Sequence, residues 1–397
     1  MAITEIKDKV YWVGAVDWDI RDFHGYSTYK GTTYNAFLVM DEKIALFDTV
    51  KANYYEELLY HIKELTDPAK IDYIVVNHVE MDHSGCLPKI IELVKPEKVF
   101  CSPMGEKALK DHFHCDDWPL VVVKSGDSIS LGKKTVTFLE TRMLHWPDSM
   151  FSYIPEDKLL ISSDAFGQHL ASTERFADEL AIGEVMTHAA KYYANILNLF
   201  SPNVQKLLAQ VAELGIAIDM IAPDHGVIWR RNPELILAAY DRWSRRETTR
   251  KALVIYDTMW HSTAKMAKAI GGAIAREGVA VKMMNLAVTH RSDIMTEVLD
   301  CRALVFGSPT LNNGYLPRMG DFLTYLKGLR PKGKIGAAFG SFGWSGEAVK
   351  LMSEAMEAME ITVVDPGVKV KNVPTDEDFA KCKELGAKIA AAVKEMD

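Results

Sequence analysis

The string His78-Val79-Glu80-Met81-Asp82-His83 places four metal-binding side chains together, directly after the apolar run Ile74-Val75-Val76. Imidazoles alone would suit zinc, whereas a carboxylate-rich mixture suits harder, redox-active iron. Glu80 among the histidines therefore moves the expected chemistry from hydrolysis toward oxygen chemistry. Three further candidates each stand just past a strand-like run: His145 in Leu144-His145-Trp146-Pro147-Asp148-Ser149, Asp164 after Leu159-Leu160-Ile161-Ser162-Ser163, and His225 after Met220-Ile221-Ala222-Pro223-Asp224. Loops at strand ends are where a rigid scaffold usually carries chemistry. Together these residues supply enough ligands for two metals about 3.5–4 Å apart with one carboxylate shared. Asp164, isolated and central in the order, is the expected bridge. His112, His114, His169, His188 and His290 lack such a context and read as surface or core histidines.

A second group of loops suggests a different ligand. After Ile255-Tyr256-Asp257 come Thr258, Met259, Trp260, His261, Ser262 and Thr263, then a helical pattern. A hydroxyl-rich loop at a helix N-terminus is an anion site, because backbone N–H groups and the helix dipole favour phosphate there. A plain Ser/Thr cap looks the same. The loop lacks the glycines of a Walker motif or a dinucleotide fingerprint, so ATP and NAD are poorly supported. Two more loops follow later strands. One carries Ser308, Pro309, Thr310, Asn312 and Asn313; the other carries Ser341, Phe342, Gly343, Trp344, Ser345 and Gly346. Open α/β sheets bind ligands at the carboxyl ends of their strands. Small polar residues there let the backbone approach an isoalloxazine ring, and Trp344 can line it.

These loops need strands to hold them. Strand-like runs occur at Ala36-Phe37-Leu38-Val39-Met40, Ile44-Ala45-Leu46-Phe47, Leu120-Val121-Val122-Val123 and Thr135-Val136-Thr137-Phe138-Leu139, with helical periodicity over 184–199 and 204–214. A charged stretch over 242–251 then gives way to strict strand–helix alternation, which means a doubly wound parallel sheet. A chain of 397 residues is too long for one ordinary core. The expected domains are 1–249 and 250–397. Net charge of −8 argues against nucleic acid or an anionic membrane as partner. No window reaches the length of a membrane span, and the first residues lack the pattern of a signal peptide, so the cytoplasm is expected. The five cysteines form no Cys-x-x-Cys pair, hence no iron–sulfur or rubredoxin-type module in this chain.

The order His-x-Glu-x-Asp-His, then His, Asp and His, resembles that of the metallo-β-lactamase fold. Glu80, where the hydrolases usually have His, resembles the mark of the flavodiiron proteins, or A-type flavoproteins. The strings Gly31-Thr32-Thr33-Tyr34-Asn35-Ala36, Asp164-Ala165-Phe166-Gly167-Gln168 and Lys191-Tyr192-Tyr193-Ala194-Asn195-Ile196 are also similar to that family. The resemblance implies an N-terminal αββα sandwich and a C-terminal flavodoxin-like domain with FMN. It implies one iron on His78, Glu80 and His145 and another on Asp82, His83 and His225, bridged by Asp164 and an oxo or hydroxo group. His24 and Tyr193 resemble residues beside the substrate pocket. The implied activity is reduction of dioxygen to water with electrons from rubredoxin, or from a reduced deazaflavin; reduction of nitric oxide to nitrous oxide is the alternative. A head-to-tail homodimer or dimer of dimers would bring the FMN of one subunit to the irons of another. A zinc hydrolase of the same fold and a non-catalytic electron carrier are the rivals. Glu80 and the flavin half speak against the first, the intact ligand set against the second.

Overall fold

A computed structural model describes residues 3–396. The chain packs as two compact units: residues up to Tyr192 with Phe200–Asp241, and Tyr193–Leu199 with the chain from Arg242 onward. The second boundary falls inside the helix Glu234–Ser244, ahead of the division at 249/250 expected from charge. The first crossing has a local cause. The continuous helix expected over 184–199 stops at Tyr192, and Tyr193–Leu197 forms a π-helical turn.

In the first unit, one sheet runs in the order Thr4–Lys7, Val10–Trp12, Phe37–Met40, Ile44–Phe47, Ile71–Val76, Lys98–Cys101, Leu120–Val122. It starts antiparallel and turns parallel from Ile44–Phe47 onward. A second sheet orders Ser128–Ser130, Thr135–Glu140, Met150–Ile154, Leu159–Ile161 and Met220–Ala222. Alternation explains how the layers form, since successive strand residues point to opposite faces. Phe37, Val39, Phe47, Val75 and Phe100 enter a core shared with Val136, Phe138, Met150 and Ile161 of the second sheet. Their neighbours Leu38, Leu46, Ile74, Val76 and Val99 pack instead with Leu58, Ile62, Leu87, Ile90 and Leu109 from helices. On the far side, Phe151 meets Phe166, whose ring lies 4.5 Å from Tyr240 of the helix Glu234–Ser244. The result is the αββα sandwich.

The second unit is a parallel sheet in the order Ala280–Asn285, Lys251–Tyr256, Ala303–Gly307, Ile335–Phe342, Thr362–Val363, with Val368–Lys371 also on Ile335–Phe342. The second strand in sequence lies outside the first, so the order reverses beside Lys251–Tyr256 and opens a crevice there. The pieces Thr362–Val363 and Val368–Lys371 are too short and polar to stand out in the sequence. All five cysteines are buried and free. Among the described residues no helix is long and apolar enough to cross a membrane.

Phe138 is 1% exposed and stacks on Phe100 at 6.1 Å between the two sheets. Phe138→Ala should cost the first unit about 3–5 kcal/mol. Denaturant unfolding followed by tryptophan fluorescence should show that transition moving down; a loss below about 1 kcal/mol would deny the position its inter-sheet role.

Candidate metal centre and flavin site

The strand Ile71–Val76 ends at Asn77, which donates to Asp48 through its backbone N–H and its side-chain amide, both at 2.7 Å. Ser152 in turn donates to Asn77 Oδ1 at 2.7 Å. That clamp fixes where His78 leaves the sheet. Asp148 Oδ2 then accepts from His78 Nδ1 at 2.9 Å and from the Val79 N–H at 2.7 Å. With its Nδ1 proton so committed, His78 presents Nε2 inward.

His225 is held by the same logic from another strand end. Its Nδ1 donates to the Thr33 carbonyl at 2.7 Å. Its loop is tied down by Asn35, whose Nδ2 donates to Pro223 O at 2.7 Å and Gly226 O at 2.9 Å while Oδ1 accepts from Trp12 Nε1. Gly226 sits at φ 78°, where an added Cβ would lie 2.4 Å from Gln168 O. The residues 31–36 and 164–168 thus build the walls that seat the ligands.

Asp164, 1% exposed, stands at the centre. Its Oδ2 lies 2.9 Å from His145 Nε2 and 3.4 Å from His78 Nε2; Glu80 Oε2 is 3.1 and 3.3 Å from those same nitrogens. Its Oδ1 lies 3.2 Å from His83 Nε2 and 3.4 Å from His225 Nε2; Asp82 is 3.5 and 3.2 Å from that pair. Two clusters result, His78–Glu80–His145 and Asp82–His83–His225, each facing one oxygen of Asp164. Donor atoms within each cluster converge to within 4.8 Å.

Several of these buried atoms have no hydrogen bond: both oxygens of Asp82, both nitrogens of His83 and Asp164 Oδ1. Leaving such groups unpaired is costly, and cations would satisfy the carboxylate oxygens and one nitrogen of His83. Burial opposes charge throughout, yet the paired groups overcome it. His83 is raised to about 10 by Asp82, Asp164 and Asp224, and His145 to about 9 by Asp164 and Glu80. Conversely, the histidines hold Asp164 well below the usual carboxylate range and also lower Glu80 and Asp82. Raised histidines and lowered carboxylates mark a donor set of opposite charges held together, and the residues present fit two metals.

His24, at φ 54°, has its side chain 76% exposed, with Nε2 3.6 Å from Glu80 Oε1. Tyr193 is placed differently from expectation. It belongs to the second unit, where its ring packs on Trp243 at 5.3 Å. The neighbouring Tyr192 has its ring 5.1 Å from His169 and 6.0 Å from His225. One residue of helical phase, about 100° of rotation, separates the two tyrosines and decides which faces the metal ligands. Sequence reading also passed over Asp224, whose buried carboxylate lies 3.8 Å from His83 Nδ1. His169, set aside as a surface or core histidine, is buried with its ring 4.8 Å from that of His225. Neither has a spacing signal; only the fold brings them in.

In the second unit, a cavity of about 740 Å³ opens at the carboxyl ends of the strands. Met259, Trp260, Ser262, Pro309, Thr310, Asn312, Asn313, Ser341, Phe342, Gly343, Trp344 and Ser345 line it, joined by Leu311, Asn372 and Val373. Asn372 and Val373 follow the strand Val368–Lys371, which explains why they were missed. The other expected residues shape the loops. Ser308 Oγ accepts from the Leu316 N–H at 2.9 Å, Thr263 Oγ1 lies 3.0 Å from Ser341 Oγ, and the Gly346 N–H donates to Glu347. His261 takes φ 65° as the cap of the helix Ser262–Arg276. Thr258 Oγ1 is buried with no hydrogen-bond partner. A phosphate at this helix N-terminus would supply one. Trp260 and Trp344, 87% and 92% exposed, offer flat apolar faces for a ring. The site fits FMN.

Residues 32–226 match the family model described as ODP family beta lactamase, and 254–386 match that of flavodoxin. The chain is 49% identical to rubredoxin-oxygen oxidoreductase of Megalodesulfovibrio gigas, over 99% of both chains. It is also 49% identical to nitric oxide reductase of Moorella thermoacetica, over 98% of both. The crystal structure of the flavodiiron protein from Giardia intestinalis matches with a TM-score of 0.96 at 34% identity, covering 100% of this chain and 98% of that one. A metal-binding β-lactamase-type unit joined to a flavodoxin unit defines a two-cofactor oxidoreductase. The chain belongs to the flavodiiron proteins.

Asp148→Ala should lower iron affinity roughly 10–100-fold, the usual cost of losing a carboxylate behind a ligand histidine. Iron analysis after dialysis should show the loss with FMN content intact; full iron occupancy would remove Asp148 from that role. Gly340→Ala should do the reverse. Its Cβ would lie 2.1 Å from Ser308 O, prising apart two flavin loops. Flavin content should fall while iron stays, and unchanged FMN affinity would contradict the loop geometry.

Proposed function

We propose that this chain reduces dioxygen to water, with His78, Glu80 and His145 holding one iron, Asp82, His83 and His225 the other, and Asp164 shared. The observation that carries the reading is the division of Asp164, each oxygen facing one complete cluster. Iron held by these residues would supply one-electron chemistry toward a small diatomic molecule, and FMN in the second unit would supply a two-electron store.

The protein's own residues set orientation and protons. Asp148 and the Thr33 carbonyl hold the Nδ1 protons of His78 and His225, so that Nε2 is the free ligand atom of each. Asp164 ties the two clusters to one spacing. His24, exposed above Glu80, can take protons from solvent at Nε2 and deliver them to the reacting molecule. Reducing dioxygen to water consumes as many protons as electrons, so such a relay serves the reaction directly. In the second unit, the loop 258–263 would hold the FMN phosphate, and Trp344 would cover the ring.

Rubredoxin is the donor this reading favours, from the name of the Megalodesulfovibrio relative; reduced deazaflavin is the alternative. A head-to-tail homodimer or dimer of dimers in the cytoplasm completes the proposal, the dimer resting on the family resemblance. Buried free cysteines accord with a reducing compartment. Nitric oxide is the second reading, favoured by equal identity to the Moorella enzyme.

The test offers dioxygen and nitric oxide in separate anaerobic assays to the iron- and FMN-loaded protein with reduced rubredoxin. Sustained, faster turnover of dioxygen is expected. Faster nitric oxide turnover, with dioxygen slow or inactivating, would replace the first reading with the second.

A further inference from the structure

The second unit holds a group of cations that neither cofactor site uses. Arg246 follows the helix Glu234–Ser244, and its Nη1 is buried with no hydrogen-bond partner. Lys334 is 4% exposed and spends one of its three donors on the Cys301 carbonyl. Both side chains line one small cavity of about 10 Å³, with Lys332, Asn198 and apolar residues such as Val298 and Leu299 completing the wall. None of the described residues lining it is acidic.

A buried charge is tolerable only when paired. Lys332 pairs with Glu360 at 3.0 Å, and both of those side chains are more than half exposed. Among the described residues neither Arg246 nor Lys334 has a carboxylate partner. Burial lowers the pKa of both, and for Lys334 the charge of Arg246 lowers it further. Two like charges therefore face one cavity without a counter-charge from the chain.

The size of the cavity restricts what can supply that charge. About 10 Å³ admits roughly one water-sized particle. A phosphate or sulfate is too large, and a water would leave the like charges facing. A monatomic anion meets both demands. Lys332 also borders a wider groove of about 330 Å³ with Lys327 and Arg330, where Glu360 is the one acid in the lining. An excess of positive charge at such a rim draws anions toward it.

We propose that the second unit binds a single halide ion, of the size of chloride, between Arg246 and Lys334. The ion is the counter-charge that lets two cations share the cavity. It stabilises the unit and takes no part in electron transfer.

The test melts the iron- and FMN-loaded protein in sodium chloride and in sodium gluconate at equal ionic strength, gluconate being too bulky for the cavity. Chloride should raise the thermal midpoint saturably, by about 2–4 °C over gluconate. Arg246→Met and Lys334→Met each remove one cation at similar length. Both should lose the chloride response and keep full iron and FMN content. Chloride NMR gives the direct readout: the excess line width from exchange with the bound ion should fall from wild type to either variant. Chloride at the iron site contributes equally to all three proteins and cancels in that comparison. Equal midpoints of the wild type in the two salts would overturn the proposal and leave a water in the cavity. So would a chloride response and line width as large in both variants as in the wild type. If either variant fails to fold, the wild-type comparison still decides.

Discussion

Everything in the first unit serves one electrostatic arrangement: a carboxylate, Asp164, shut away from water between two sets of histidines and acids. An ion in such a place is tolerable only when paired. The surrounding rings do pair it, but at distances and angles that leave several donor and acceptor atoms without hydrogen bonds. The site is built for cations rather than for itself. Its rigidity comes from a layer of buried polar partners, in which Asp148, Asn35 and the Thr33 carbonyl each spend their hydrogen bonds on orienting a ligand or its loop.

That layer depends in turn on the sandwich. The ligands leave the ends of strands in both sheets, so their spacing is set by how the sheets pack face to face. Phe47, Phe100 and Phe138 in the shared core are therefore remote supports of the metal geometry. Asp48 and Asp224, both buried and both raised by burial, Asp224 also by the charge of Asp48, mark where this packing is least comfortable. In the second unit the analogous device is close backbone approach. Gly340 leaves no room for a side chain against the Ser308 carbonyl, which keeps the flavin loops in register.

The cluster at residues 78–83 was legible in the sequence because its ligands are consecutive and no common structural role puts such residues together. The doubly wound half was legible because strand–helix alternation admits few topologies, and the three loops at its strand ends could be placed from that rule alone. By contrast, His145, Asp164 and His225 gained their meaning from order and family likeness. Spacing alone did not distinguish them from His169.

What the sequence determined by itself was composition of the site: which ligand types, in which order, on which two kinds of sheet. Tertiary structure alone decided phase and partnership. The ring of Tyr192 packs beside those of His169 and His225, while that of Tyr193 packs on Trp243. Asp224 and His169 join the neighbourhood through contacts between residues far apart in sequence. Periodicity reports which side of an element is apolar; it carries no information about which polar group another element will bring to that side, because that depends on the packing of sheets and loops that only the folded chain contains.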